Sequence, residues 1–335
     1  MKINRYALLV VVFSAFLFLI YTVFQIDLDK FILAFKNLNY IWLSLAVISV
    51  LIYWISEAKI LQIIIFSLVG DYSLFKAFKV TMIGQFFNII TPFASGGQPA
   101  QLYTLNKQNL KSGSAASILM IKFIVYQLVL IFYSFFLIIF KKSFFENGTI
   151  NFFYLIFIGF TVNLSVVLGL YIFSKHKKAK EYLLIGGLKL LNKINLIKDY
   201  YYWEKIVNEQ LKLFHQDLEL LKQRKKMLFK ISIFTLSQLS FFFIIPYFVY
   251  RSFNLNGVNP LTIIAAAAFV IMITSFVPIP GASGGAEISF YYFFAFFFIK
   301  EQLLVAIFIW RFISYYLALI IGGLIIFLNR KLLHN

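Results

Sequence analysis

The run 114–140 holds a single charged residue, Lys122. It is longer than the roughly 20 residues that a helix needs to cross a bilayer. Comparable runs lie at 6–26, 41–69, 150–174, 229–250 and 302–328. In lipid each backbone polar group must be satisfied internally, so such segments fold as helices. The runs are continuous rather than alternating, which excludes a transmembrane barrel. The expected fold is therefore an all-α polytopic membrane protein. Only 13% of the residues are charged, about half the share usual in a soluble domain. Lys2 and Arg5 precede the first run and no small-x-small cleavage site follows it, so it reads as a retained span.

The formal net charge is +18. In a soluble chain that would point to nucleic acid. Here the charge is concentrated beside the spans, with fourteen Lys/Arg against six Asp/Glu in 175–230. This follows the positive-inside rule and suits an anionic membrane surface. Within the same loop Trp203, Val207, Leu211, Phe214, Leu218 and Leu221 recur at helical spacing. They predict an amphipathic helix that lies on the membrane or packs on the spans. The chain has no cysteine, and His176, His215 and His334 show no ligand spacing. No metal or cofactor is expected.

Two short segments break the apolar pattern. Residues 91–98 read TPFASGGQ and residues 278–287 read PIPGASGGAE. The pattern Pro-x-Ala-Ser-Gly-Gly thus occurs twice. Downstream, Lys122-Phe-Ile-Val-Tyr-Gln-Leu-Val-Leu-Ile aligns with Arg311-Phe-Ile-Ser-Tyr-Tyr-Leu-Ala-Leu-Ile. The loop, the cation and the tyrosine pair Tyr126/Tyr315 match together, which indicates an internal duplication. The chain divides into an N-terminal span and outer loop (1–39), repeat 1 (40–131), a connecting span with the basic loop (132–227), repeat 2 (228–320) and a C-terminal end (321–335). One inserted residue aligns Gln98 with Glu287, each 24 positions before its cation.

The segments flanking each Gly-Gly loop, 76–91 before the first and 260–277 and 286–299 around the second, are short for full spans. Each pair reads as a re-entrant hairpin. Three crossings then separate the repeats, so they are inverted. About six full spans and two re-entrant hairpins result, with both termini and the basic loop cytoplasmic. Broken segments at matching places in inverted halves mark a transporter's substrate site.

Four charges fall inside apolar segments: Glu57, Lys122, Glu287 and Arg311. Each costs about 2.5–3.5 kcal/mol on insertion scales. Two readings stand. They form structural ion pairs, Glu287 with Arg311 and Glu57 with Lys122. Alternatively they form a headgroup site in which Arg311 and Lys122 hold a phosphate. In that reading Ser95, Gly96, Gly97, Ser283, Gly284 and Gly285 supply backbone amides to the anion. Gln98, Lys122, Glu287 and Arg311 together carry net +1, which suits one phosphate or a zwitterion. Tyr126 and Tyr315, one turn past the cations, line the site or pack as aromatics. Glu57, beside Lys59, also reads as marking the cytoplasmic end of its run. Asp27-Leu-Asp29 offers a weak glycosyltransferase-like signal, and an ion-coupled solute carrier would have only Glu57 and Glu287 to titrate.

The loops Thr91-Pro92-Phe93-Ala94-Ser95-Gly96-Gly97-Gln98-Pro99 and Pro278-x-Pro280-Gly281-x-x-Gly284-Gly285-x-Glu287, with Arg311-x-x-x-Tyr315-Tyr316, resemble the lysylphosphatidylglycerol synthase/flippase transmembrane family. The resemblance covers essentially the whole chain. It implies a lipid flippase for an anionic or aminoacylated phospholipid, or for a polyprenyl-phosphate carrier. It also implies an alternative: the membrane part of a phosphatidylglycerol lysyltransferase. No soluble transferase domain follows the spans in this sequence, so that activity would need a separately encoded aminoacyl transferase as partner. Many family members carry Glu where this chain has Gln98. The expected setting is a bacterial plasma membrane. A homo-oligomer is compatible with it, and direct nucleic-acid binding is not expected.

Overall fold

The computed structural model describes residues 28–141, 200–274 and 277–329, with isolated positions between 159 and 192. The expected spans at 6–26 and 150–174 fall largely outside the described residues. Every element among the described residues is helical. In chain order they are α1 (Leu28–Lys36), α2 (Tyr40–Val69), α3 (Leu74–Ile89), a 3₁₀ turn at Pro92–Ala94, α4 (Gly97–Lys107) and α5 (Ser112–Phe140). After the gap come α6 (Tyr200–Gln223), α7 (Lys225–Phe243), α8 (Ile245–Ser252) and α9 (Pro260–Thr274). A second 3₁₀ turn at Pro280–Ala282 leads to α10 (Gly285–Phe294), α11 (Lys300–Arg311), a π segment at Phe312–Tyr316 and α12 (Leu317–Leu328).

Four stretches among the described residues are long and apolar enough to cross a bilayer: Tyr40–Val69, Ser112–Leu137, Lys225–Ser252 and Lys300–Leu328. Local chemistry sets their ends. Asn39 caps α2 by accepting from the Ile41 amide at 3.1 Å, and Gly70 closes it at φ +84°. Ser73 caps α3 in the same way through the Phe75 amide. Pro246 has no N–H to donate back along the chain, and the third span is interrupted at Ile244 between α7 and α8. The helices α3, α4, α9 and α10 have 16, 11, 15 and 10 residues. At 1.5 Å per residue none reaches the roughly 30 Å of a hydrocarbon core.

The order long, short, turn, short, long therefore occurs twice. The packing crosses between the two sets. The first long helices touch each other, α2 against α7 and α8. The helix α3 packs on α12, and its counterpart α9 packs on α5. The two 3₁₀ turns touch each other. Small residues permit these approaches: a Cβ on Gly322 of α12 would lie 2.7 Å from the Met82 carbonyl of α3.

The amphipathic helix appears as α6 and packs on α5. Leu211, Phe214, Leu218 and Leu221 are buried there, whereas Trp203 stays exposed. Gly113 makes the seat. Its amide donates to Gln210 Oε1 at 2.9 Å, and an added Cβ would stand 2.2 Å from the Gln210 carbonyl. Two apolar clusters result. One joins α2, α3 and part of α5 to the second repeat, and the other joins α2 to α7 around α4, α5 and α6.

Candidate functional site

The two turns share an unusual backbone up to their fourth residue. Thr91 and Ile279 are extended, with φ/ψ of −123°/144° and −109°/140°. Phe93 and Gly281 then take positive φ, at 54° and 74°, and Ala94 and Ala282 follow at 51° and 50°. A positive φ on a non-glycine residue is uncommon and is held only where its surroundings require it. The turns diverge at the serine, φ/ψ −74°/−19° for Ser95 and −58°/137° for Ser283. That is where repeat 2 begins to accommodate its additional residue.

In the second hairpin the charges close on each other. Arg311 Nε donates to Glu287 Oε1 at 2.8 Å, and Arg311 Nη2 donates to the Gly281 carbonyl at 2.9 Å. The other oxygen of Glu287 accepts from the Gly284 amide at 2.7 Å, tying the start of α10 to the turn. The guanidinium lies 4.2 Å above the Tyr315 ring. Tyr315 in turn donates to the Ile89 carbonyl of the first hairpin at 3.3 Å. The π segment that begins at Phe312 carries Tyr315 and Tyr316, and π-helical turns are often found at functional sites. Both ion-pair partners are buried. This is the geometry of the ion-pair reading for Glu287 and Arg311, in which Nε and Nη2 hold the hairpin itself.

The first hairpin differs. Lys122 Nζ lies 2.6 Å from Glu57 Oε1 and 3.2 Å from Gln101 Oε1. Glu57 Oε2 accepts from Gln85 Nε2 at 2.6 Å. Glu57 stands in the middle of α2 and is only 6% exposed. Around it α2 continues to Val69, and the carboxylate is paired with Lys122. The alignment of Gln98 with Glu287 fails as a contact rule. Lys122 reaches Gln101, one turn further along α4, while Gln98 is exposed. Gly84 makes this possible, since a Cβ there would lie 2.3 Å from Gln101 Nε2.

The expected amide nest is largely used up inside the turns. Ser95 and Ser283 donate to the carbonyls of Pro92 and Pro280, Gly96 donates to Thr91 Oγ1 and Gly284 to Glu287. Gly97 is packed against the Asn88 side chain, and Gly285 against Val277.

A cavity of about 480 Å³ opens between α2, α4, α5 and the first turn. Glu57, Lys122, Gln98, Gln101 and Tyr126 line it, together with Gln127. A smaller cavity of about 210 Å³ adjoins it and reaches Arg311, Tyr315 and Gly281. Tyr53, Gln85, Asn88, Phe93 and Ala94 line both. The two cavities thus lie side by side at the tip of the first turn. Counting Glu57, the four intramembrane charges sum to zero rather than +1. Sequence reasoning missed the neutral members Gln85, Asn88, Gln101, Gln127 and Gln238. The available signal, for all but Gln101, was the presence of side-chain amides inside apolar runs.

A family model described as Lysylphosphatidylglycerol synthase TM region matches residues 6–322. Among curated proteins no sequence matches the chain.

Proposed function

The chain belongs to the lysylphosphatidylglycerol synthase TM-region family, and on that premise we propose that it is a membrane lipid transporter whose cargo headgroup occupies the cavity at the first hairpin, beside the second. One observation carries this reading. A polar, charge-balanced cavity at the first left-handed turn adjoins a smaller one lined by both turns, among bilayer-length helices. Polar backbone and ionisable side chains at membrane depth are tolerated where they line a wet cavity, and there they mark a substrate path.

In this account the short arms are re-entrant and the repeats are inverted. The crossed packing of α3 on α12 and α9 on α5 supports that arrangement. Lys122, Gln98 and Tyr126 meet the headgroup from the first hairpin. Glu287, Arg311 and Tyr315 shape the second, with Ser283, Gly284 and Gly285 at its tip. Ser95, Gly96 and Gly97 set the tip of the first. The hairpins open alternately toward the two faces, as rocking of one repeat against the other would require. The family description supports phosphatidylglycerol or its lysyl derivative as cargo. It equally supports a second reading, a place in lysyl-phosphatidylglycerol synthesis beside a transferase partner.

Transbilayer movement of tail-labelled lipids in proteoliposomes tests the proposal. The wild type should accelerate movement over empty vesicles, and Glu57→Gln should slow it at least tenfold. Vesicles in which no lipid moves, but in which a co-purifying soluble protein lysylates phosphatidylglycerol, would replace transport with the synthesis reading.

A further inference from the structure

Resting on the transport reading of this cavity, we propose that Glu57 takes up a proton when a phosphodiester headgroup reaches Lys122, so that an anionic lipid and a proton cross together. The inference begins from charge. Among the described residues lining the cavity of about 480 Å³, Glu57 and Lys122 are the charged ones, and they balance. A headgroup of net charge −1 would leave the loaded cavity at −1 unless something compensates. Uncompensated charge at membrane depth is costly. Lys122 is where the phosphate would arrive. An ammonium has three N–H donors. Two are met among the described residues, by Glu57 Oε1 at 2.6 Å and by Gln101 Oε1 at 3.2 Å. The Lys122 side chain is 15% exposed, against 4% for Arg311, which is fastened to Glu287 and to the Gly281 carbonyl.

A phosphate on the third donor would set two anions on one ammonium, and like charges sharing a site favour protonation of one of them. The phosphodiester is the stronger acid and stays ionised, so the proton goes to Glu57. The other titratable groups facing it, Tyr53 on its own helix and Tyr126 on α5, are phenols that already carry their protons near neutral pH. From α3, α4 and α7 the cavity receives the amides of Gln85, Gln101 and Gln238. Lys59, two residues along α2, bonds Gln62 instead. Glu287 does not compete, because Arg311 and the Gly284 amide both favour its charged form. The surroundings serve either state of Glu57. Gln85 Nε2 donates to its Oε2 at 2.6 Å, and a turn of that amide would present the oxygen to a carboxylic O–H. The step balances. The proton comes from water on the face where the cavity is open, forms an O–H bond on Glu57, and returns to water on the other face as the lipid leaves. Lysyl-phosphatidylglycerol offsets its phosphate with its own ammonium groups and would need no proton.

The test is proton uptake by the full chain in weakly buffered detergent micelles with a pH indicator, as phosphatidylglycerol is added and binding is followed by thermal shift. Near neutral pH about one proton should be taken up per bound lipid, and affinity should tighten about tenfold for each pH unit lowered, because the bound state holds the extra proton. Glu57→Gln, which cannot gain a proton, should show no uptake, and Glu57→Asp, which keeps a titratable carboxyl, should restore it. In proteoliposomes with the potential clamped, an acidic exterior should speed inward movement of tail-labelled phosphatidylglycerol, and the internal pH should fall with it. No binding of phosphatidylglycerol, or binding without uptake and with the same affinity at each pH, would overturn the proposal. So would equal uptake on adding lysyl-phosphatidylglycerol or the deacylated headgroup glycerophosphoglycerol. Uptake on binding with no lipid movement in proteoliposomes would support the proton linkage and overturn the transport reading. Lipid movement that carries no proton would overturn the linkage alone.

Discussion

Lys122 and Arg311 occupy matching places in the two repeats and meet different surroundings. Arg311 is held by a carboxylate, a carbonyl and an aromatic face, all within its own half or on the path to the other hairpin. Truncating it leaves Glu287 buried and charged. Arg311→Ala should therefore destabilise the protein by about 3–5 kcal/mol, measured by unfolding of the purified protein in mixed micelles. Lys122 lies beside open space and exchanges fewer constraints. Glu57→Gln alone strands its charge, whereas Glu57→Gln combined with Lys122→Met removes both. The double variant should regain at least half of the stability that the single variant loses, and additive losses would contradict the pairing. The cations and carboxylates were legible in the sequence because charges inside apolar runs are rare. Both pairings, Glu287 with Arg311 and Glu57 with Lys122, stood among the sequence readings, the first with a repeated spacing of 24 behind it. Lys122 selects Gln101 over Gln98 because Gly84 leaves room for the Gln101 side chain over α3, and no alignment of loops encodes that approach.

At the scale of elements, α6 and the hairpin turns are held by close approach. Gly113→Val should dislodge α6 from α5, because the added atoms fall on the Gln210 backbone. A loss of about 1–3 kcal/mol and faster proteolysis within 200–223 are expected, and an unchanged cleavage pattern would contradict the seat. Gly281→Ala meets two penalties, a positive φ of +74° and a Cβ 2.1 Å from Tyr315 Oη. It should uncouple the second turn from Tyr315 and lower the melting temperature more than Gly284→Ala, where φ is also positive but the space is open. The long helices and the amphipathic stripe of α6 were readable from apolar run length and 3.6-residue period. The face that α6 chooses was not, because the sequence pattern suits membrane and span alike. The contact through Gly113 decides it.

The whole molecule combines four bilayer-length stretches among its described residues with two sets of short arms whose tips touch. The recurrence of Pro-x-Ala-Ser-Gly-Gly and of the aligned cations was readable in the sequence. The crossed packing of the two sets required the structure, since it pairs elements more than a hundred residues apart. The central claim is that these tips part for a lipid headgroup to pass. The chain has no cysteine of its own, so a pair introduced at Ala94 and Ala282, one in each touching turn, can be joined by a reducible bifunctional maleimide. Movement of tail-labelled lipid in proteoliposomes would be followed before joining, after joining and after reduction. The account predicts that joining stops movement and that reduction restores it. Movement that continues unchanged with the tips joined would contradict it.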